Sequence, residues 1–406
     1  MRSSDIGVAD LPLHDGRVPP YLMARMRRLG IAIARVIVEE FGPRELVYRV
    51  ADPLWLQAYS NVIGMDWDSS GATTVAIYVL KSFAPPRALG ELGIAFLGGK
   101  GSDSLKVPIE AREASESCRG CIDAPSLSTI SRLSAKIDSA LLQDGYELYI
   151  HALAVAEDGS WTIIQQGMNT DTRMARRYHI AGRKSEPSVE RDPHAAIACN
   201  RSWIALNLVD EESYAIRRSI LDLVKDSAAE RIVRYVAELN RAKSRARSLE
   251  SWIRGSREMH IDKNLLRFYR PIRDYGRLRR IFNQIRELAP SSFRDLVLVR
   301  GLGKDTIAAL ALVAHLIYGF RPSLRDPVTH ALDPLLYAYA HGGKDGYPYP
   351  VNIKRLEETA SIIEQAIDSS RLDSMEKKRA LRRLSAFVDR VARRALQSSK
   401  SMRQPF

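Results

Sequence analysis

The chain of 406 residues combines 45% hydrophobic with 27% charged residues and carries a formal net charge of +13. This balance is typical of an ordinary globular protein of about two or three domains. No stretch reaches the ~18 consecutive apolar residues that a membrane span needs, and residues 1–20 lack the basic-then-apolar pattern of a secretory signal. We therefore expect a cytoplasmic protein with no membrane partner.

The first half of the chain predicts a mixture of helices and strands. Apolar residues at helical spacing predict one long helix from Pro20 that ends at Gly42-Pro43, and a second helix after Asp52-Pro53. Residues 64–83 fit a helix or a strand, because a good cap precedes a β-branched run, and the helix is preferred. The next elements are predicted as a strand at 92–97, a polar loop to 124, a helix at 128–142, a β-hairpin of strands 146–155 and 161–166, an exposed loop at 183–191 and a strand at 203–209.

After residue 211 the apolar spacing is helical almost to the end of the chain. Helices are predicted at 214–239, 249–252, 275–288, 352–367 and 375–396, with a further helix pair around residue 300. The predicted fold class is therefore α+β. We expect a mixed, catalytic domain with a small β-sheet and hairpin at residues 1–210, followed by an all-α, basic domain at residues 211–406.

The run around residue 300 is the most informative motif, because an apolar segment, a Gly-x-Gly turn and a new apolar helix follow one another. Gly301 and Gly303 permit positive φ angles and a close approach of the backbone to a ligand. The next helix presents unpaired N–H groups to an anion, and Lys304 adds a positive charge beside Thr306. The motif predicts a phosphate-binding turn.

Residues 293–318 resemble the helix-hairpin-helix element of DNA repair proteins, which implies binding to DNA. A tight turn between two helices is the alternative. In glycosylases of that superfamily a catalytic Asp follows the glycines, and the resemblance implies this role for Asp326; capping a helix or pairing with Arg325 is the structural alternative. Bifunctional members carry a lysine nucleophile where this chain has Asp305, so Schiff-base chemistry is not implied.

Positive charge is concentrated in the second half of the chain. Residues 1–200 hold 22 Lys/Arg and 24 Asp/Glu, whereas residues 201–406 hold 39 and 24. Residues 241–290 alone hold 14 Lys/Arg and 5 Asp/Glu, interleaved with aromatic residues. This composition suits a nucleic-acid groove, or else buried aromatics beneath a solvated basic face. The predicted nucleic-acid contacts are Gly301, Gly303, Lys304, Thr306, Arg176, Arg177, Arg267, Arg270 and Arg277.

The first half carries a dense set of polar residues near the predicted strand ends. Carboxylates together with a lysine or histidine suit a divalent Mg²⁺ or Mn²⁺ ion that activates water. We therefore predict phosphodiester hydrolysis with Asp66 and Asp138 as metal ligands, His151 as a ligand or base and Lys136 as an electrostatic stabiliser. Further polar site residues are predicted, because amides at the end of an apolar strand need partners or a ligand. They are Gln165, Gln166, Asn169 and His179.

Three cysteines are too few for a secreted disulfide framework. Cys118 and Cys121 have the spacing of a redox pair or of half a zinc site, and only Cys199 with a distant histidine is left to complete such a site. Free thiols, a disulfide and a zinc site therefore stay open.

Several phrases spread over nearly the whole chain resemble an archaeal and bacterial family catalogued as domain of unknown function seven-six-three. They lie at residues 9–14, 18–20, 66–71, 143–146, 165–169, 175–179 and 341–346. One departure is Asp68, where that phrase leads us to expect histidine. The family name implies no activity, so the function is argued from the residues.

We expect a DNA-binding, DNA-processing or repair protein that hydrolyses phosphodiesters with a divalent metal. A monofunctional helix-hairpin-helix DNA glycosylase that uses Asp326 is the enzymatic alternative. A non-catalytic module that binds DNA or RNA is the third alternative, because the same charges and the same hairpin support it.

Overall fold

An antiparallel sheet lies between two layers of helices in the computed structural model, which describes residues 11–12, 18, 20–63, 65, 70–199, 204–246 and 263–328. The strands are β1 (Leu11–Pro12), β2 (Ile94–Lys100), β3 (Leu142–Gln143), β4 (Glu147–Ala156), β5 (Ser160–Asn169), β6 (Met174–Arg183), β7 (His194–Ala198) and β8 (Leu206–Asn207). The strand order is β1-β6-β5-β4-β2, β7 also pairs with β6, and β3 pairs with β8. The predicted mixed α+β class is confirmed.

The first helical layer covers one face of the sheet. It consists of α1 (Pro20–Phe41), α2 (Pro43–Ala51), α3 (Pro53–Val62) and α4 (Gly71–Phe83). Gly42, with a φ of +87°, separates α1 from α2 as predicted, and the Asp52 carboxylate caps α3 by accepting the Leu54 N–H at 2.7 Å. These helices pack on the side chains of β4 that alternate on this face, such as Ile150 and Ala154.

The second helical layer covers the opposite face. It consists of α6 (Val107–Ser117), α7 (Ala124–Lys136), α8 (Tyr214–Asp226), α9 (Ala229–Ala246), α10 (Lys263–Leu266), α11 (Tyr275–Leu288), α12 (Phe293–Val297) and α13 (Lys304–Tyr318), with a short α5 (Leu89–Leu92) before β2. One hydrophobic cluster joins Leu153 and Ile163 of the sheet to Leu310 of α13. The basic helices after residue 211 therefore pack on the same core as the sheet.

The sequence prediction was wrong at three elements. Strand β6 was missed, because buried polar residues on both of its faces remove the alternation that marks a strand. The strand expected at 203–209 is reduced to β8, and the hairpin is extended instead by β6, which pairs with β5 along its whole length. Helix α6 lies within the predicted polar loop, because only small or single apolar residues such as Val107 and Ala111 mark its buried face.

Other predicted elements are confirmed. The helix at α4 and the β4–β5 hairpin are present, and the helix predicted over 275–288 matches α11. The helix predicted at 214–239 is divided into α8 and α9 around Ser227. The helices predicted at 249–252, 352–367 and 375–396 lie outside the described residues. None of the described helices is long and apolar enough to cross a membrane.

The hydrophobic cluster that the sheet shares with α13 allows a test of the predicted domain boundary near residue 210. Leu153 on β4 and Leu310 on α13 are 0% and 1% exposed and belong to the same cluster. We expect Leu153→Ala and Leu310→Ala each to lower the free energy of unfolding by about 2–5 kcal/mol, and to shift the same single transition in chemical denaturation. Leu288→Ala, at an exposed position, is the control. Two transitions, each shifted by one variant only, would show two independent domains.

Candidate functional site

Polar side chains fill the middle of the sheet on both of its faces. Gln165 and Gln166 are neighbours on β5 and therefore point to opposite faces, and both are fully buried. Arg176 and Arg177 repeat this arrangement on β6. Because each buried polar group needs a partner, two separate hydrogen-bond networks form, one beneath each helical layer.

On the sheet face beneath the second helical layer, hydrogen bonds join Asp138, Gln165, His151 and Ser131 in one chain. Gln165 donates from its amide nitrogen to the Asp138 carboxylate and to the Ser134 carbonyl oxygen (3.1 Å). Its amide oxygen therefore faces His151, whose Nδ1 lies 2.8 Å away and must donate. The His151 Nε2 is then left to accept from Ser131, whose Oγ lies at 2.7 Å.

Two residues of the β6–β7 region extend this chain on the other side of Asp138. His194 Nε2 lies 2.6 Å from the second Asp138 carboxylate oxygen, and His194 Nδ1 lies 2.5 Å from the Asp192 carboxylate. Asp138 itself sits in a π-helical turn, Ile137–Leu141, which continues α7. Such turns are often found at functional sites. The full chain runs from half-buried Asp192 to buried Ser131.

The two histidines of the chain have opposite electrostatics. Burial lowers the pKa of His151, against the effect of its bond to Gln165. Burial also acts to lower the pKa of His194, but the Asp138 and Asp192 carboxylates on either side raise it to about 10. Burial raises the pKa of Asp138. The shared proton lies on His194, because two carboxylates flank that ring and stabilise its charged form.

Arg176 is the centre of a second cluster on the same face. Its guanidinium donates to Asp144 at 2.7 Å and makes two bonds of 2.9 Å to the two carboxylate oxygens of Asp326. Asp144 also accepts from the Tyr178 hydroxyl at 2.7 Å, and the guanidinium lies 4.7 Å from the ring centre of Tyr146. The side chains of all three ion-paired residues are 0% exposed.

Asp326 reaches Arg176 because the segment before it is fixed to β8. The Asn207 N–H donates to the Ser323 carbonyl oxygen at 2.9 Å, and the Asn207 side chain donates to the Arg325 carbonyl oxygen at 3.1 Å. Ser323 in turn donates to Asp210 at 2.9 Å. The residue predicted as the glycosylase carboxylate is thus a buried ion-pair partner in this structure.

The network on the first-layer face is centred on Gln166 and Arg177. Gln166 accepts from the Thr73 hydroxyl and donates to the Ser70 carbonyl oxygen (2.9 Å) and to the Tyr149 hydroxyl. Among the other predicted polar residues, His179 Nδ1 lies 3.0 Å from the Val50 carbonyl oxygen. Asn169 caps the β5–β6 turn by accepting the N–H groups of Asp171 and Thr172, each at 3.0 Å.

The segment between α12 and α13 holds the predicted glycines in different conformations. Gly301 has a φ of +89°, and a Cβ there would lie 3.2 Å from Ile281 of α11, so this position favours glycine. Gly303 is extended and exposed at the N-cap of α13, with no atom within 4 Å of an added Cβ and no side-chain cap. Thr306 is buried in the first turn.

Helix α7 holds the carbonyl oxygens of this segment. Arg132 donates to the Leu298 carbonyl oxygen at 3.2 Å, and Lys136 donates to that of Leu302. Burial and the neighbouring Arg132 lower the pKa of Lys136. Lys304 lies 2.5 Å from the Glu147 carboxylate. Lys136, which was predicted as an electrostatic stabiliser, thus supports the backbone of the turn before α13.

The predicted arginine contacts divide into buried and exposed groups. Arg267, Arg270 and Arg277 are exposed around α11, and Arg270 lies 4.0 Å from Glu147. Arg176 and Arg177 are fully buried in the sheet. The aromatic residues of the basic segment pack inward where they are described: Tyr269 is 1% exposed, and Phe268 and Tyr275 are half-buried against the core. Trp252 lies outside the described residues.

The tentative metal site is only partly within the described chain. Asp66 lies outside it, and the two oxygens of Asp138 accept from His194 and Gln165. Within the described ranges, no group of three or more His, Cys, Asp or Glu side chains is arranged to hold a metal ion. Cys118 and Cys121 form a disulfide, and Cys199 is a buried free cysteine.

Comparison with known families places the chain. A model of the family described as "Protein of unknown function (DUF763)" matches residues 7–351. The chain belongs to the DUF763 family. No curated protein and no solved structure matches this chain. The resemblance of the sequence to this family is therefore confirmed. Because the family description names no activity, the function is inferred from the residues of the structure.

Sequence reasoning found some members of the DUF763 polar network and missed others. Asp138, His151 and Gln165 were selected, and the structure brings them into one chain. His194 and Asp192 were missed because they follow a polar stretch that was interpreted as an exposed loop. A signal was present: the run from 194 to 198 is a short apolar strand with a histidine at its start.

The contrast between the two histidines gives a pH prediction. The folded-state pKa of His194 is raised, so its stabilising effect is complete below pH 6.5 and is lost as the pH rises towards 10. We expect the free energy of unfolding to fall by up to about 1.4 kcal/mol per pH unit over that window. In a 15N NMR titration of the histidine rings, His194 should stay doubly protonated at pH 8 and His151 should stay neutral at pH 6.5. A His194 ring that titrates near pH 6.5 contradicts the assignment.

Proposed function

We propose that this DUF763 protein binds nucleic acid, with DNA as the first candidate, through the turn at 298–303 and the exposed face of α11. The observation that carries the proposal is the uncapped, exposed N-terminus of α13 beside Gly303. The first N–H groups of a helix have no partner within it and attract anions. The arrangement of α12, turn and α13 supports the resemblance to a helix-hairpin-helix element.

The surroundings of the turn support a phosphate as the anion. Residues 263–300 contain ten Lys/Arg against three Asp/Glu. Gly301 packs on Ile281, and Arg277 lies one helical turn before Ile281, on the same side of α11. Arg300 and Arg277 are exposed next to the turn. Such clustered cations neutralise phosphates and release counterions.

The arginines allow a direct test by salt dependence. We expect the double variant Arg277→Gln with Arg300→Gln to weaken binding to a duplex DNA oligonucleotide and to reduce the slope of log affinity against log salt by about 2. Fluorescence anisotropy between low and moderate salt measures both quantities. Arg87→Gln, at an exposed position outside the basic segment, is the matched control. If the double variant keeps both the DNA affinity and the salt slope of the natural protein, the proposed binding surface is wrong.

Phosphodiester hydrolysis of DNA with a divalent metal is the second proposal, and RNA is a second candidate for binding without catalysis. The Asp192–His194–Asp138–Gln165–His151–Ser131 chain favours it, because strongly shifted pKa values and buried acid–base groups concentrate at functional sites. The glycosylase alternative depends on Asp326, whose carboxylate would have to leave its two bonds to Arg176 before it could stabilise a charge on a sugar. Asp138 would likewise have to leave His194 and Gln165 to hold a metal ion.

The two reactions separate in one experiment. Purified protein is incubated with end-labelled single-stranded, duplex, flap and uracil-containing oligonucleotides, with Mg²⁺, with Mn²⁺ or with EDTA, and resolved before and after alkali. For hydrolysis we expect direct cuts that need the metal and that Asp138→Ala abolishes. Cuts that appear only after alkali, survive EDTA and are lost in Asp326→Asn would support the glycosylase instead. If neither occurs and the DNA is bound, the protein is a binding module.

A further inference from the structure

Two neighbouring arginines in β6 have opposite charge environments. Arg176 on the second-layer face is compensated by the carboxylates of Asp144 and Asp326. Arg177, the next residue, points into the first-layer face and is equally buried, at 0% exposure. None of the carboxylates in the described part of the chain forms an ion pair with Arg177. One buried charge is therefore neutralised and the other is not.

Within the described residues, the hydrogen-bond partners of Arg177 are all uncharged. Its Nε donates to the Thr73 hydroxyl at 2.8 Å, one terminal nitrogen donates to the Gln57 side-chain oxygen at 3.0 Å, and the other reaches the Pro53 carbonyl oxygen at 3.5 Å. Burial lowers the pKa of Arg177 to about 10, so the group remains charged at neutral pH. A buried charge without an opposite charge is strongly unfavourable.

Hydrogen bonds join the side chains beside Arg177 into one polar cluster that reaches the surface. Thr73 links Arg177 to Gln166, which donates in turn to the half-buried Tyr149. The ammonium group of Lys100 lies 5.7 Å from the ring centre of Tyr149 and is exposed. The cluster thus leads from a buried guanidinium to a second cation at the surface, through groups that can donate or accept hydrogen bonds.

We propose that Arg177, with Thr73, Gln57 and Gln166 around it, is the buried end of an oxyanion site that takes a phosphate group entering past Tyr149 and Lys100. The ligand is free phosphate or the terminal phosphate of a nucleotide. A planar guanidinium makes two parallel bonds to such a group, and the phosphate supplies the missing negative charge. This site lies on the first-layer face and is independent of nucleic-acid binding at α13.

The test uses the full chain and inorganic phosphate, with chloride at equal ionic strength as the reference. We expect phosphate to raise the thermal unfolding midpoint in a saturable way, as a ligand of the folded state does. Arg177→Met should abolish the rise, whereas Arg183→Met, on the exposed end of the same strand, should keep it. A dinucleotide with and without a 5′ phosphate, measured by calorimetry, separates the two sources of the phosphate.

Gln57→Glu keeps the proposal testable if Arg177→Met does not fold. The new carboxylate replaces an oxygen that already accepts from Arg177 at 3.0 Å. We expect this variant to be more stable than the natural protein in phosphate-free buffer and to have lost the phosphate response. Natural protein that shows no saturable response to phosphate would overturn the proposal, and so would a Gln57→Glu variant that responds as the natural protein does. The natural protein would show no saturable response to phosphate if a carboxylate of this chain were paired with Arg177.

Discussion

The ion pairs of Arg176 are the interaction on which the central architecture depends. This one side chain joins three parts of the chain that are far apart in sequence: β6, the turn before β4 through Asp144, and the segment after α13 through Asp326. Breaking a buried pair leaves an uncompensated charge and costs about 3–5 kcal/mol. The second helical layer is thereby joined to the sheet in two ways. Helix α13 makes hydrophobic contacts with the sheet core, and Asp326, which follows α13, forms an ion pair with Arg176.

The sheet is covered on both faces, and this constraint explains why most polar side chains of its middle strands form hydrogen bonds within the protein. A half-exposed antiparallel sheet leaves its polar residues to water, whereas here each of them needs a protein partner. Gln165 and Gln166 show the result, since adjacent amides on one strand enter different networks. Networks of this kind contribute to a unique arrangement only when every member is satisfied. Arg177 stands apart, because its hydrogen bonds are made while no carboxylate of the described residues balances its charge.

The sequence predicts those elements whose packing leaves a period in the residue pattern. Helix α11 has one buried and one polar side, and the β4–β5 hairpin consists of two apolar runs joined by a polar turn, so both were found. Strand β6 is buried on both sides with arginine, tyrosine and histidine, and it was not found. The same limit applies to the polar centre. Asp138, His151 and Gln165 are recognisable as polar residues near predicted strands, but His194 joins them only through the pairing of β7 with β6, which is a long-range contact that no local pattern encodes. Likewise, nothing in the sequence distinguishes Arg176 from Arg177.

Helix α7 connects the two candidate functional regions. Its sheet side carries Ser131, which bonds to His151, while Arg132 and Lys136 support the carbonyl oxygens of the turn before α13. These cations bind the carbonyl oxygens of the turn and leave the N–H groups at the start of α13, which the proposed phosphate would use. The π-helical turn that contains Asp138 follows directly on Lys136, so the lysine that holds the turn before α13 and the aspartate of the buried acid–base chain lie on one continuous helical element.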